Sequence, residues 1–180
     1  MTEREQLVQT VRQSSDNLRS ALQVIKAAAD IRSSVLSTLE DQIRSTLPNG
    51  YDLLSYNMSE KQYSNIQIAM PGIQGICFSI EFQAGDHHWL IYGVKVRGSG
   101  FDLETRVRLD AAFGLGRRVS EHWPWHRRAE LTEHIFPVAG DWRTSEQPWI
   151  EMAEGTLAQK IVDAAQAFRE VLTAAGGGTA

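Results

Sequence analysis

The sequence predicts a mixed α+β domain in which an antiparallel sheet of about four or five strands packs against a long N-terminal helical segment and a C-terminal helix. Three observations lead to this prediction. Residues 3–47 repeat apolar side chains with a helical period and contain no glycine or proline. Residues 51–98 hold short alternating apolar runs separated by turn signals, and residues 148–174 return to a helical period. A block of strands flanked by helices is typical of the α+β class.

The composition is that of an ordinary globular protein. The chain has 180 residues, of which 42% are hydrophobic and 22% charged, and its net charge is −4. A net negative charge disfavours strong non-specific binding to nucleic acid or to an anionic membrane. Cys77 is the only cysteine, which excludes an internal disulfide and a cysteine-rich zinc site. The polar N-terminus and the short apolar runs predict a cytoplasmic protein without membrane contact.

The chain divides into a helical arm, an α+β domain and a short tail. We place the arm at 1–47, the domain at 51–175 and a flexible tail at 176–180, because Leu47-Pro48-Asn49-Gly50 is a helix stop and the last residues are rich in glycine.

The arm begins with a capping box formed by Thr2 and Glu5. A single helix over its whole length would be about 65 Å long, so it must break near Ser14-Ser15-Asp16, where Ser15 or Asp16 would cap a second helix, or project from the domain. Two readings stay open: two helices packed on their own sheet, or an arm that pairs with a second copy or a companion protein. The predicted contact residues for pairing are Leu18, Leu22, Ile25, Leu36 and Leu39.

The strands are predicted from alternation and turns. Their candidates are 51–56, 64–70, 76–82 and 89–96, with a last edge strand at 119–125. Glu81 and Gln83 are expected to point outward from an alternating strand. His87 and His88 are expected to face solvent in the turn of a hairpin.

Two helices and a tryptophan-rich segment complete the chain. A short helix is predicted at 102–114, with Asp102 as its N-cap. The final helix is predicted at 148–174 and contains Gly155. Four of the five tryptophans lie between these helices or at the start of the second, and we expect them to wedge this segment against the sheet.

The order of motifs in the second half resembles a known family. The motifs are Ile91-Tyr92-Gly93, the helix at 102–114, Trp123-Pro124-Trp125, Trp142, Pro148-Trp149 and Gly155. Over residues 75–172 this order is similar to the C-terminal region of one family of bacterial PD-(D/E)XK nuclease-like proteins. The resemblance implies an accessory region without the nuclease core, linked to defence against phage or mobile DNA. The expected function is a non-catalytic module that acts through its own dimer or a companion protein, with no cofactor.

A degenerate nuclease centre is a further hypothesis. The chemistry of the family requires an acid at one strand end, then an acid and a lysine on the next strand, which hold Mg²⁺ and activate water. Glu81 is the acid of a Glu-Phe-Gln triplet with Gln83 where lysine is expected. Asp52 is the candidate upstream acid, and Lys95 on the neighbouring strand is the candidate lysine.

The tryptophan segment also suggests nucleic-acid binding. Residues 95–134 contain eight lysines or arginines against six acids, whereas the whole chain is acidic. Cations interleaved with exposed rings suit a single strand, through phosphate contacts and base stacking. The candidate residues are Arg117, Arg118, Trp125, Arg127 and Arg128. In the competing reading the rings are buried and the arginines are solvated.

Overall fold

The α+β class and the antiparallel sheet are confirmed. A computed structural model describes residues 1–98, 103–117 and 120–174, so the predicted tail, Asp102 and Arg118 lie outside the described residues. In chain order the elements are α1 (Glu3–Arg12), α2 (Ser15–Thr46), β1 (Asp52–Asn57), β2 (Asn65–Ala69), β3 (Ile76–Ala84), β4 (His88–Val96), α3 (Leu103–Phe113), β5 (Trp125–Arg128), α4 (Gln147–Glu154) and α5 (Thr156–Thr173). Among the described helices, none combines the length and the apolar character that crossing a membrane requires.

The chain forms two compact units, Met1–Ser37 and Thr38–Ala180. In the first unit the predicted capping box is present: the Thr2 hydroxyl accepts from the Glu5 amide at 3.3 Å, and the Glu5 carboxylate accepts from the Thr2 amide at 2.8 Å. Helix α1 ends at Arg12, and the Ser14 hydroxyl accepts from the Asn17 amide at 3.1 Å. Ser14 therefore caps α2, rather than Ser15 or Asp16, since α2 begins one residue earlier than the periodicity indicated.

The division between the units lies inside α2, whereas the sequence places it at the Leu47–Gly50 turn. The last turns of α2 belong to the second unit because their apolar side chains complete its core. Leu39 and Ile43 are fully buried, and the Gln42 side chain donates to the Met152 carbonyl at 3.0 Å.

The five strands form an antiparallel meander in the order β1-β2-β3-β4-β5. One face is apolar, and Phe168 of α5 is its central contact. The Phe168 ring lies 5.4 Å from Phe78, 5.2 Å from Trp125 and 4.7 Å from Phe113, measured between ring centroids. The terminal helix is divided in two because Gly155 takes a left-handed φ of 81°, which ends α4.

The fifth strand lies later in the chain than predicted, at Trp125–Arg128 instead of 119–125. Pro124 precedes the strand, since a proline cannot donate to a ladder. The prediction that the tryptophans pack the domain is confirmed for Trp123, Trp125 and Trp142, which are at most 7% exposed.

Candidate functional site

The second face of the sheet carries most of the predicted chemistry. The strand register places alternate residues of four strands on this surface, which we call the polar face; its members are Asn65, Gln67, Cys77, Ser79, Glu81, Gln83, Ile91, Gly93, Lys95, His126 and Arg128. Much of this face is buried, including Ser79 and Cys77 at 0% exposure. Burial raises the pKa of the Cys77 thiol to about 11, so it stays protonated at neutral pH.

Glu81 and Lys95 form an ion pair on the polar face. Glu81 and Gln83 lie on the face opposite Phe82, as the alternation predicted. Glu81 is nevertheless only 4% exposed and accepts from the Gln83 side chain at 2.9 Å, and Gln83 is half-buried. The Lys95 ammonium lies 5.3 Å from the centre of the Trp123 ring, a cation–π contact with a buried tryptophan.

Asp52 does not join this pair. It is exposed and lies opposite Ala69, whereas Glu81 lies opposite Asn65 at the other end of β2. Two strand spacings and four residues separate the Asp52 and Glu81 backbones by about 16 Å. Within the described residues there is also no group of three or more His, Cys, Asp or Glu that could hold a metal ion. The predicted Asp52/Glu81/Lys95 constellation is therefore not assembled in this structure.

The two hairpin histidines are not solvent-facing, and that prediction is wrong. Asp86 and His87 take left-handed φ values of 56° and 54°, which fold the His87 ring back onto the sheet. His87 is 3% exposed and lies 5.2 Å from the Phe82 ring and 6.1 Å from the Trp142 ring. His88 is half-buried, and its Nδ1 is 3.0 Å from an Asp141 carboxylate oxygen.

Two of the residues proposed for nucleic-acid binding, Trp125 and Arg127, already have partners within the protein. Trp125 is fully buried, and its indole N–H donates to Asp110 at 3.0 Å, so it offers no ring to a base. Arg127 is paired with Glu133 at 2.9 Å. Arg128 is half-buried opposite Ile91, and Arg117 is exposed. Arg118 lies outside the described residues. The single-strand hypothesis thus loses its predicted stacking residue.

A groove opens at one end of the polar face. It has a volume of about 470 Å³ and is lined by Gln83, Trp89, Ile91, Arg117 and His126. Trp89 is 46% exposed, whereas Ile91 is buried. The groove therefore combines an accessible indole ring, an aliphatic floor, a guanidinium and an imidazole.

Asp110 of α3 helps to hold the arginine side of this groove. Its carboxylate accepts from the Gly116 amide at 2.8 Å and is paired with Arg106 at 3.3 Å. The next amide, that of Arg117, donates to the His126 carbonyl at 2.8 Å. Hydrogen bonds from the consecutive amides of Gly116 and Arg117 thus hold the backbone at Arg117 beside β5.

His126 is a neutral imidazole by its surroundings. Burial first, and then the nearby cations Arg117 and Arg106, lower the pKa of His126 below its ordinary value. Its Nδ1 atom is buried and has no hydrogen-bond partner among the described residues.

The helical arm is the second candidate site. Within the first unit, Leu18 and Leu22 are each 47% exposed and Ile25 is 69% exposed. Leu36 and Leu39, which were also predicted to contact a partner, are buried in the single chain. Leu18, Leu22 and Ile25 therefore stay open along one side of α2, and we call these three residues the arm face. Val24 and Ile31 are also exposed, but they lie on another side of α2, and the exposed Leu7 and Val8 lie on α1.

No protein family, curated protein or solved structure matches this chain. The resemblance to the accessory region of PD-(D/E)XK nuclease-like proteins accordingly stays a prediction.

Sequence reasoning missed the groove residues Trp89, Ile91 and, as a ligand-facing group, His126. Trp89 stands apart from the tryptophan cluster, next to the glycine-containing hairpin turn, and this position was the available signal for a ring at a sheet end. The groove itself is built by residues that are up to 43 positions apart in the chain, from Gln83 to His126, and no local pattern joins them.

Proposed function

We propose that this chain is a protein-interaction module that self-associates through the arm face. The observation that carries the proposal is the exposure of three large apolar side chains, Leu18, Leu22 and Ile25, along one side of α2. Singly exposed apolar residues are normal, but a contiguous apolar surface on a helix is typical of a contact site.

The spacing of the arm face supports a helical pair. Leu18, Leu22 and Ile25 follow steps of four and three, the spacing of the inward positions of a coiled coil. The same steps continue to Ala29, and the next position of the pattern is the charged Arg32. A seam with this period stays on one side of the helix, so that two copies align it over several turns.

The flanks of this seam favour a parallel arrangement of two copies. Arg19 and Lys26 lie on one flank, and Ala21 and Ala28 lie on the other. In a parallel pair each flank faces the opposite flank of the second helix, so the cationic side chains extend over alanines. In an antiparallel pair like flanks meet, and the cations of one copy face those of the other. Like-charge repulsion therefore selects the parallel pair.

The test is the mass of the full chain in solution, measured by light scattering during size exclusion and by sedimentation over a range of concentrations. We expect a dimer or a larger oligomer for the natural sequence. Leu22→Glu should shift it to monomer by placing a charge in the seam. Ser20→Glu is the matched control, because it adds the same charge on the opposite side of the same helix.

The parallel orientation of the two helices has its own test. Ile25→Cys places a thiol where two parallel helices bring identical residues together, so oxidation should give a disulfide-linked dimer. Ser20→Cys should not cross-link, and Cys77 should not interfere because it is buried. A natural chain that is monomeric at all concentrations, or a dimer unaffected by Leu22→Glu, would overturn self-association through the arm face.

Two other hypotheses are not supported to the same degree. The nuclease hypothesis is weakened because the Glu81 carboxylate is paired with Lys95 and lies far from Asp52. A cleavage assay with Mg²⁺ or Mn²⁺, with Glu81→Ala as control, tests it directly. The accessory-region resemblance, and with it the link to phage defence, would gain weight if a companion chain with an intact acid and Glu-x-Lys pattern bound this protein.

A further inference from the structure

We propose that the groove binds a small anion that carries a planar ring, with the ring against Trp89 and the anionic group at Arg117. Nucleoside monophosphates and aromatic carboxylates share this chemistry. The inference is independent of the arm face, which belongs to the other compact unit.

The ring side of the groove is built from an exposed indole and an aliphatic floor. Trp89 is 46% exposed, whereas three of the other tryptophans are at most 7% exposed. Ile91, two residues later on β4, is buried and closes the floor. An accessible indole beside a buried aliphatic side chain gives a planar ring one stacking surface and one apolar edge contact.

The anionic side is defined by which cations are already neutralised. Lys95 is paired with Glu81, and Arg106 with Asp110. Arg117 lines the groove, and no described carboxylate forms an ion pair with it. A guanidinium offers two parallel N–H groups to a phosphate or carboxylate, so it binds these anions better than a neutral donor does.

His126 adds a directional contact. It lies beside Arg117 in the lining of the groove. Because the imidazole is neutral, one ring nitrogen donates and the other accepts a hydrogen bond. It therefore bonds a polar substituent of the ligand without adding repulsion toward Arg117.

The backbone beside the groove has an unfavourable conformation at Trp89 and in the turn before it. Trp89 takes a left-handed φ of 64°, and Asp86 and His87 do the same. A bulky residue rarely adopts this conformation, and it persists only where surrounding contacts enforce it. The Trp142 amide donates to the His87 carbonyl at 3.0 Å, and the Asp86 amide donates to the Glu60 carbonyl at 2.8 Å. Such strain is often found at sites where a side chain is held for a ligand.

The experiment is calorimetric titration of the full chain at low salt with adenosine monophosphate, uridine monophosphate and benzoate. Binding by either class of anion supports the proposal, and the tighter class identifies the source of the ligand. Adenosine has the planar ring without the anionic group, and inorganic phosphate has the anionic group without the ring. Each should therefore bind at least ten-fold more weakly than adenosine monophosphate. A single-stranded oligonucleotide that binds while all mononucleotides and benzoate fail would overturn a small-molecule site in favour of a strand-binding surface.

The variants separate binding from folding. Trp89→Gly removes the ring and suits a positive φ, so the protein should stay folded while the affinity falls about ten-fold or more. Tyr63→Gly is the matched control, because Tyr63 also has a φ of 64° and is exposed, but does not line the groove. Arg117→Gln should weaken binding of the anions about ten-fold and leave binding of adenosine unchanged.

Two further results would overturn the proposal. The first is no binding of any of these anions at millimolar concentration. The second is binding that Trp89→Gly and Arg117→Gln leave unchanged in folded protein. Leu22→Glu in the arm should retain the natural affinity. Self-association is thus tested with Leu22→Glu, and ligand binding in the groove is tested separately with Trp89→Gly and Arg117→Gln.

Discussion

Removing the positive charge of the buried ion pair should destabilise the second unit more than removing the negative charge. The Glu81 side chain is 5% exposed and the Lys95 side chain is 20% exposed. In Lys95→Met the carboxylate keeps only the Gln83 donor and does not reach water. In Glu81→Gln the ammonium is left with partial exposure and the Trp123 ring, and a long side chain reorients toward solvent.

These differences set the magnitudes. Breaking a buried pair by removing one partner costs about 3–5 kcal/mol, and the exposure of Lys95 places Lys95→Met near about 3 kcal/mol. Glu81→Gln should cost about 1 kcal/mol, the net contribution of the hydrogen bond that is lost when the ammonium turns toward solvent. The melting temperature of Lys95→Met should fall by roughly 6–12 °C, using about 2–4 °C per kcal/mol for a chain of this size.

The assay is urea unfolding followed by tryptophan fluorescence. All five tryptophans lie in the second unit, so the signal reports the unit that contains the pair. The double variant Lys95→Met with Glu81→Gln removes both charges and should recover part of the loss caused by Lys95→Met alone. Asp52→Asn is the control and should change the free energy of unfolding by less than about 0.5 kcal/mol because Asp52 is exposed. A loss for Glu81→Gln as large as that for Lys95→Met, or losses that simply add, would refute the reasoning.

Three further predictions concern the packing around the same sheet. Gly93→Ala should destabilise by about 3 kcal/mol, the upper end for overpacking, because an added Cβ would lie 2.3 Å from the Trp125 carbonyl oxygen; a small change in urea midpoint would contradict this. Phe168→Ala should lower the free energy of unfolding by about 3–5 kcal/mol, measured by calorimetry, since its buried ring packs against Phe78, Tyr92, Phe113 and Trp125. His126 has a lowered pKa when folded, so its charging should reduce stability as the pH falls below about 6.5, its unfolded value. Unfolding at pH 7 and pH 5 should therefore show a smaller loss on acidification for His126→Gln than for the natural chain, and equal losses would reject the prediction.

The local elements of the fold were accessible from sequence because they depend on short-range periodicity. The three- and four-residue steps of the arm and the two-residue alternation of 76–82 identified helices and strands within a few residues. The capping box of Thr2 and Glu5 was found for the same reason, since both partners lie within one turn.

The wrong predictions concern the burial of residues whose surroundings come from distant parts of the chain. Alternation correctly placed Glu81 on the face opposite Phe82, but it contains no information on whether that face meets water. His87 was expected to face solvent because it lies in a hairpin turn, whereas left-handed φ values at Asp86 and His87 fold its ring into the domain. Neither outcome is visible without the rest of the chain.

The sequence by itself determined the α+β fold class, the apolar seam of the arm and the burial of most of the tryptophans, because each depends on which neighbouring residues share a face. Tertiary structure alone decided the pairing of Glu81 with Lys95 and the assembly of the groove. Both bring together side chains from separate strands and loops, and their positions follow from strand register and backbone geometry rather than from any spacing along the chain.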